Sequence, residues 1–152
     1  MGLLQIGGGP KEKCAGRVVG IDLGTTYSLV ATVKEGTPVV LKDETGQASL
    51  PSVVWFGPDR EIEVGEQARQ SASERSGRTI ASAKRFMGRG QKESQDVSEL
   101  SPYRFATDNQ GPVVKFEISD SQAVTPMEVG AEVLKALKHR AEIALDGELD
   151  GA

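Results

Sequence analysis

Short apolar runs separated by turn residues fill the first third of the chain. Apolar and β-branched residues dominate segments 17–23, 27–34 and 37–42, and the run "LPSVVWFG" over 50–57 is bounded by proline and glycine. Runs of this length and composition are typical of strands. The pattern therefore predicts four strands before residue 58.

The middle of the chain changes to a helical pattern. We predict helices over 66–74 and 79–87, with Gly88 placed to end the second. The polar stretch that follows permits a short helix over 93–99. Beyond it, "PYRFATDNQGPVVKFEIS" predicts two strands around a turn at 108–111.

The strongest predicted element is a long helix near the end of the chain. Thr125 and Glu128 form a capping-box pattern, with Pro126 at the first helical position. A strand-rich start followed by an amphipathic helix predicts an α/β fold, whose sheet the helix covers. The predicted buried face consists of Met127, Ala131, Leu134, Leu137, Ala141, Ala144 and Leu145.

Composition excludes several classes of function. The chain has 152 residues and a net charge of −4, which argues against non-specific nucleic-acid binding. No apolar stretch reaches membrane-spanning length, and no leader resembles a signal peptide. Cys14 is the only cysteine, so no internal disulfide can form, and a cytoplasmic location is expected. The "GGGPK" near the start does not complete a Walker A motif.

The segment "GIDLGTTYS", residues 20–28, suggests a phosphate site. Gly24 lets an anion approach the backbone, and Thr25 and Thr26 add small hydroxyl donors. Asp22 could hold a hard cation between itself and the phosphates. A hairpin whose Asp and Thr side chains only make local hydrogen bonds is the alternative that the residues leave open.

The segment "TIASAKRFMGRG" offers cations that could face such a turn. Phosphoryl transfer depends on positioned positive charge, which Lys84 or Arg85 could provide. Taken alone, the segment is explained better by two cations at the C-terminal end of a helix dipole.

In combination these motifs carry a family resemblance. "GIDLGTTYS", "LPSVVWF", "VGEQA" and "SAKRFMGR" occur in this order and resemble the nucleotide-binding domain of the DnaK-type, or heat-shock-seventy, chaperones. "MGLLQI", "SPYRF" and "GELDG" are similar to the HscA type, which serves iron–sulfur cluster assembly. The resemblance implies part of the first lobe of an actin-like (ribonuclease H-like) ATPase, an α/β fold with a mixed sheet and flanking helices.

The resemblance also implies roles for individual residues. Asp22 would bind Mg²⁺ through water, Lys84 would be the catalytic residue at the γ-phosphate of ATP, and Arg85 would support it. The implied ligands are ATP or ADP with Mg²⁺, and the implied partners are a J-domain co-chaperone and an iron–sulfur scaffold protein. The residues implied to form the first phosphate loop are Gly24, Thr25, Thr26 and Tyr27.

The extent of the resemblance sets further expectations. Residues 1–16 are expected to form a flexible tail and 17–152 the front of an ATPase domain, with an outer subdomain over roughly 51–120. Such a piece is expected to lack useful ATPase activity alone and to self-associate through an exposed sheet edge. A general folding chaperone, a sugar or metabolite kinase, and a non-catalytic interaction module are the alternatives.

Three further residues have simple structural interpretations. Trp55, the only tryptophan, is expected in the core or in subdomain packing. His139 and its basic neighbours Lys138 and Arg140 are expected on a solvated helix face. Cys14 has no second cysteine with which to share a metal.

Overall fold

A computed structural model describes residues 16–88, 102–106 and 113–152. No helix in these ranges is both long and apolar enough to cross a membrane. The predictions for 93–99, for the turn at 108–111 and for Cys14 fall outside the described residues. In chain order the elements are β1 (Gly20–Asp22), β2 (Tyr27–Lys34), β3 (Thr37–Val40), β4 (Leu50–Pro51), β5 (Val53–Phe56), β6 (Ile62–Val64), α1 (Glu66–Gln70), β7 (Thr79–Ala81), β8 (Phe116–Ser119), β9 (Gln122–Val124) and α2 (Pro126–Ala144).

The first sheet is an antiparallel meander in the order β1-β2-β3, and β4 pairs with the start of β2. Val30 on β2 lies opposite Ile21 on β1 and is fully buried, whereas all of β3 is exposed. The run predicted as one strand over 50–57 is interrupted at Ser52, so that β4 joins the first sheet and β5 joins the second.

The second sheet has the order β6-β5-β7, and all four residues of β5 are buried. Val54 and Phe56 belong to the main core, while Val53 and Trp55 pack in a separate small cluster with Ala68 of α1. Alternate side chains of a strand point to opposite faces, so β5 is covered on both. The packing role predicted for Trp55 is confirmed.

Aromatic side chains join the β8-β9 hairpin to the rest of the core. Phe116 on β8 is fully buried and contacts the rings of Phe86, Tyr103 and Phe105. Phe105 also forms an isolated antiparallel bridge with Phe116, which agrees with the pairing predicted between these two segments. The partner strand β9 was not predicted.

Helix α2 has the predicted capping box. The Thr125 hydroxyl accepts from the Glu128 amide at 3.2 Å, and the Glu128 carboxylate accepts from the Thr125 amide at 2.6 Å. The predicted buried face is correct at Leu137 and Ala141, and Leu145 is partly buried against the core, but Met127 and Leu134 are 63% and 38% exposed. The buried residues are Pro126, Val129, Gly130, Val133, Leu137 and Ala141.

Two other helix predictions need correction. Residues 79–87 form β7 followed by a short 3-10 turn over Ala83–Phe86, because Thr79–Ala81 pairs with β5 as a strand. The helix predicted over 66–74 ends at Gln70. In residues 79–81, pairing with β5 outweighs the helical spacing of the apolar residues.

The C-terminal residues contact the start of the first sheet. Val18 and Gly151 form a parallel bridge, and the Arg17 side chain donates to the carbonyl oxygens of Leu145 and Asp146 at the end of α2. In the described ranges, the strands β1 to β9 pair only in antiparallel fashion. The parallel pairing expected of a mixed sheet is therefore represented there by the Val18–Gly151 bridge.

Arg140 is not on a solvated face as predicted, although Lys138 and His139 are exposed. The Arg140 side chain is only 9% exposed, and it donates to Asp43 at 3.1 Å and to the Ala48 carbonyl at 3.0 Å. It thereby ties α2 to the loop that leads into β4. A buried, paired arginine is a structural tether.

The Asp43–Arg140 contact predicts a pH-dependent stability. Hydrogen bonds from the Thr45 hydroxyl and the Gln47 amide, with the charge of Arg140, hold the pKa of Asp43 below its ordinary value of 3.8. A carboxyl with a lowered pKa contributes stability above its unfolded pKa and loses it as the pH falls through the folded value. Asp43→Asn should therefore have a lower Tm than wild type at pH 7. The Tm difference between the two proteins should become smaller below pH ~4.

Thermal unfolding followed by circular dichroism at pH 7 and pH 3 measures this difference. Glu44→Gln is the matched control, since Glu44 is an exposed carboxylate in the same loop. An equal Tm difference between wild type and Asp43→Asn at both pH values would contradict the prediction.

Candidate functional site

The predicted phosphate turn connects β1 to β2. Asp22 ends β1 with an exposed side chain, and Tyr27 begins β2 with 49% of its surface exposed. Thr25 is half-buried and Thr26 exposed between them. The carboxylate, the hydroxyls and the turn backbone therefore lie together at one end of the first sheet.

Gly24 is fixed through both of its backbone groups. Its N–H donates to the Ser28 hydroxyl at 3.1 Å, and its carbonyl accepts from the Ser52 hydroxyl at 2.9 Å. A Cβ at this position would overlap the Tyr27 carbonyl oxygen, so the turn has no room for any other residue. The glycine is required by close packing of the backbone.

The same geometry changes which groups could bind an anion. The Gly24 amide is already occupied by Ser28, so it is not a free donor. Within the described ranges, the amides of Thr25 and Thr26 have no hydrogen-bond partner. Two adjacent free N–H groups on a turn of small residues can form an anion-binding concavity.

Lys84 and Arg85 lie in the 3-10 turn Ala83–Phe86, both exposed to solvent. Ala83 and Phe86 are buried and anchor the turn in the core. Ser82 precedes the turn with a φ of 56°, in the left-handed region. A four-residue 3-10 turn provides no long helix dipole, so helix stabilisation does not explain these two cations.

The fold brings Lys84 to the phosphate turn. Gly24, Ser52 and Lys84 line the same small cleft, with Met87 and Gly130 of α2 among the other walls. Tyr27 instead lines a larger polar cleft that also includes Arg69 and Arg140. The predicted residues thus divide between two neighbouring surfaces, with Gly24 and Lys84 on one and Tyr27 on the other.

A divalent cation beside the turn would need carboxylate ligands. No group of three or more His, Cys, Asp or Glu side chains in the described part of the chain could hold a metal by itself. Mg²⁺ usually keeps several waters and needs only one or two protein carboxylates beside a phosphate ligand. The exposed Asp22 next to the turn fits that requirement.

The chain itself matches a known family of proteins. The family model described as "Hsp70 protein" matches residues 18–152, and the chain is a member of that family. Its curated relatives include HscA chaperones. They include the "Chaperone protein HscA homolog" of Methylobacillus flagellatus, 52% identical over 88% of this chain, and that of Paracidovorax citrulli, 44% identical over the whole chain.

The matches cover a small part of each relative. The chain spans 21% of the Methylobacillus protein and 25% of the Paracidovorax protein. The fold-class prediction of an actin-like, Hsp70-type α/β lobe present in part is confirmed by the family match.

Sequence reasoning missed the serines that organise the site. Ser28 and Ser52 are 1% and 6% exposed, and their hydroxyls hold Gly24. The available signal was Ser52 itself, a polar residue inside the apolar run "LPSVVWF". A buried hydroxyl needs a hydrogen-bond partner, and that requirement could have pointed to the turn.

Proposed function

We propose that residues 18–152 form the first part of the ATPase domain of a DnaK-type chaperone that assists the maturation of iron–sulfur proteins. The observation that carries the proposal is the cleft shared by Gly24 and Lys84, in a chain whose relatives include HscA chaperones. In this proposal the turn that contains Gly24 binds phosphate, and Lys84 provides the positive charge that the hydrolysis of a phosphoanhydride requires.

The proposed chemistry assigns separate tasks to the turn between β1 and β2 and to the turn that carries Lys84. The free amides of Thr25 and Thr26, with their hydroxyls, bind phosphate oxygens, and Tyr27 borders them. The Lys84 ammonium stabilises the negative charge that develops on the transferred phosphoryl group and orients the attacking water. Arg85 lies next to Lys84 in the same turn and supports it.

Asp22 is proposed to hold Mg²⁺ through its water shell. When bound, the ion neutralises charge on the phosphate oxygens. The carboxylate at the end of β1 would otherwise repel the nucleotide, so its position beside the turn is explained by such a cation.

The alternatives have less support. A sugar or metabolite kinase shares the "GIDLGTT" pattern, but the family match covers the whole of 18–152 and the relatives are named chaperones. A general folding chaperone fits the family equally well, and the HscA relatives favour the iron–sulfur type. We propose that a chaperone of the iron–sulfur type acts in the cytoplasm, with a J-domain co-chaperone and an iron–sulfur scaffold protein as partners.

A chimera provides the functional test. Residues 18–152 would replace the matching 135-residue segment of the Methylobacillus HscA homolog. We expect the chimera to hydrolyse ATP with Mg²⁺ and to be stimulated by the J-domain and iron–sulfur scaffold proteins of that organism. Hydrolysis without stimulation by these partners would favour the general chaperone, and no hydrolysis would contradict the ATPase proposal.

The 152-residue chain serves as the comparison in the same experiment. We propose that it neither hydrolyses ATP at a useful rate nor binds it tightly, because the resemblance places nucleotide contacts on a second lobe. Tight binding in calorimetry would contradict this part of the proposal. The outer edge of β1 has no strand partner over Gly20–Asp22 in the described residues, so self-association of the chain through this edge is part of the proposal.

A further inference from the structure

Ser52 connects the phosphate turn to the turn that carries Lys84. It lies between β4 and β5 and is 6% exposed. Its N–H donates to the Thr26 carbonyl at 2.9 Å, and its hydroxyl donates to the Gly24 carbonyl at 2.9 Å. One buried serine thus fixes two carbonyls of the phosphate turn.

The hydroxyl pair closes a ring around Gly24. The Ser28 and Ser52 oxygens are 2.9 Å apart, and Ser28 accepts the Gly24 N–H. Because the Ser52 proton is directed to the Gly24 carbonyl, the proton between the two hydroxyls comes from Ser28. Gly24 is therefore held at its donor and its acceptor by one connected pair of side chains.

The other end of Ser52 contacts the lysine-bearing segment. Its carbonyl accepts from the Ser82 N–H at 3.3 Å. Ser82 has the left-handed backbone that starts the turn Ala83–Phe86, and its own carbonyl accepts from the Arg85 amide at 3.1 Å. A continuous path of hydrogen bonds therefore runs from Gly24 through Ser52 to the turn of Lys84.

From this path we infer that Ser52 is a positioning residue, which sets the distance between the phosphate turn and the Lys84 ammonium. The inference rests on the proposed ATPase function. Ser52 would not touch the nucleotide, since its hydroxyl is directed to Gly24 inside the fold. Its effect on hydrolysis would come through the placement of Lys84, because small misplacements of a catalytic group cost large factors in rate.

Amide hydrogen exchange on the 152-residue chain tests the structural half. Ser52→Ala removes the hydroxyl and breaks the ring, so the Gly24 amide should exchange about tenfold faster or more, as expected for loss of local protection. Ser49→Ala, at an exposed serine on the other side of β4, is the matched control and should leave that amide unchanged. Unchanged exchange at Gly24 in Ser52→Ala would overturn the inference.

A double-mutant cycle in the chimera tests the functional half. Ser52→Ala should lower kcat for ATP hydrolysis about tenfold in the presence of Lys84, yet have little further effect on Lys84→Ala, because coupled residues are non-additive. The same factor lost in both backgrounds would overturn the inference and leave the ATPase proposal intact. An unchanged kcat in Lys84→Ala would instead overturn the catalytic role proposed for Lys84, and the inference with it.

Ser28→Ala provides a second route should Ser52→Ala fold poorly. It breaks the same ring from the other hydroxyl and leaves the backbone of Ser52 in place. We expect the same non-additivity with Lys84→Ala. An additive effect of Ser28→Ala would count against the inference in the same way.

Discussion

Replacing Lys84 by alanine should lower kcat for ATP hydrolysis by the chimera by about 10²-fold or more, as does the loss of a single group that stabilises the transition state. The affinity for ATP should stay within about threefold of wild type, because an interaction made mainly in the transition state contributes little to ground-state binding. Single-turnover hydrolysis and equilibrium binding of ATP measure the two effects separately.

Lys34→Ala is the matched control for this experiment. Lys34 is an exposed cation at the end of β2, on the strand that follows the phosphate turn, and its removal should leave both kcat and affinity unchanged. Hydrolysis that survives Lys84→Ala intact would contradict the catalytic role proposed for Lys84.

The second large effect is expected at Gly24. Alanine would place a Cβ against the Tyr27 carbonyl, so the turn must open and the hydrogen bonds to Ser28 and Ser52 must lengthen or break. Forcing an extra carbon into packed structure costs about 1–3 kcal/mol. We expect Gly24→Ala to lower the stability of the 152-residue chain by this amount, and to weaken ATP binding by the chimera about tenfold at 1.4 kcal/mol per decade.

Gly20→Ala separates this effect from a general sensitivity of β1 and its turn. A Cβ at Gly20 meets nothing within 4 Å, and the residue is exposed. Chemical denaturation should give nearly the same free energy of unfolding for Gly20→Ala and wild type. Similar losses at both glycines would show that the packing at Gly24 has no special importance.

The tight turn between β1 and β2, proposed to bind phosphate, could be located from sequence because its requirements are local. Gly24 must be small, and hydroxyl and acidic residues flank it within six positions of the chain. The hydrogen bonds that fix the turn could not be predicted, because Ser52 reaches Gly24 from 28 residues away. Such a contact depends on the pairing of β4 with β2, for which the sequence has no short-range signal.

The conformation around Lys84 shows how a local pattern can mislead. Ile80, Ala83 and Phe86 recur every three residues, a spacing that fits a helix face. In the fold Ile80 lies on a strand opposite Val54, and Ala83 and Phe86 are the buried residues of a 3-10 turn. The three side chains do reach the same core, but by a different backbone path.

The face of α2 was misjudged for a related reason. Met127 and Leu134 have the larger apolar side chains, yet the helix turns Val129, Gly130 and Val133 toward the core. A Cβ at Gly130 would be only 2.5 Å from the Met87 methyl group. The small residue allows the helix to approach the Lys84 segment, a fit that depends on the partner surface and is not encoded in periodicity.

The burial of β5 on both faces has a consequence for how this sequence can change over time. A strand with one wet face has positions where substitutions are nearly neutral, and drift accumulates there. β5 has no such position, because Val54 and Phe56 pack in the main core and the other two side chains pack in the cluster beside α1. We expect variation to accumulate instead in β3, whose four residues are all exposed. Of these two four-residue strands, β5 should therefore be under the stronger selective constraint.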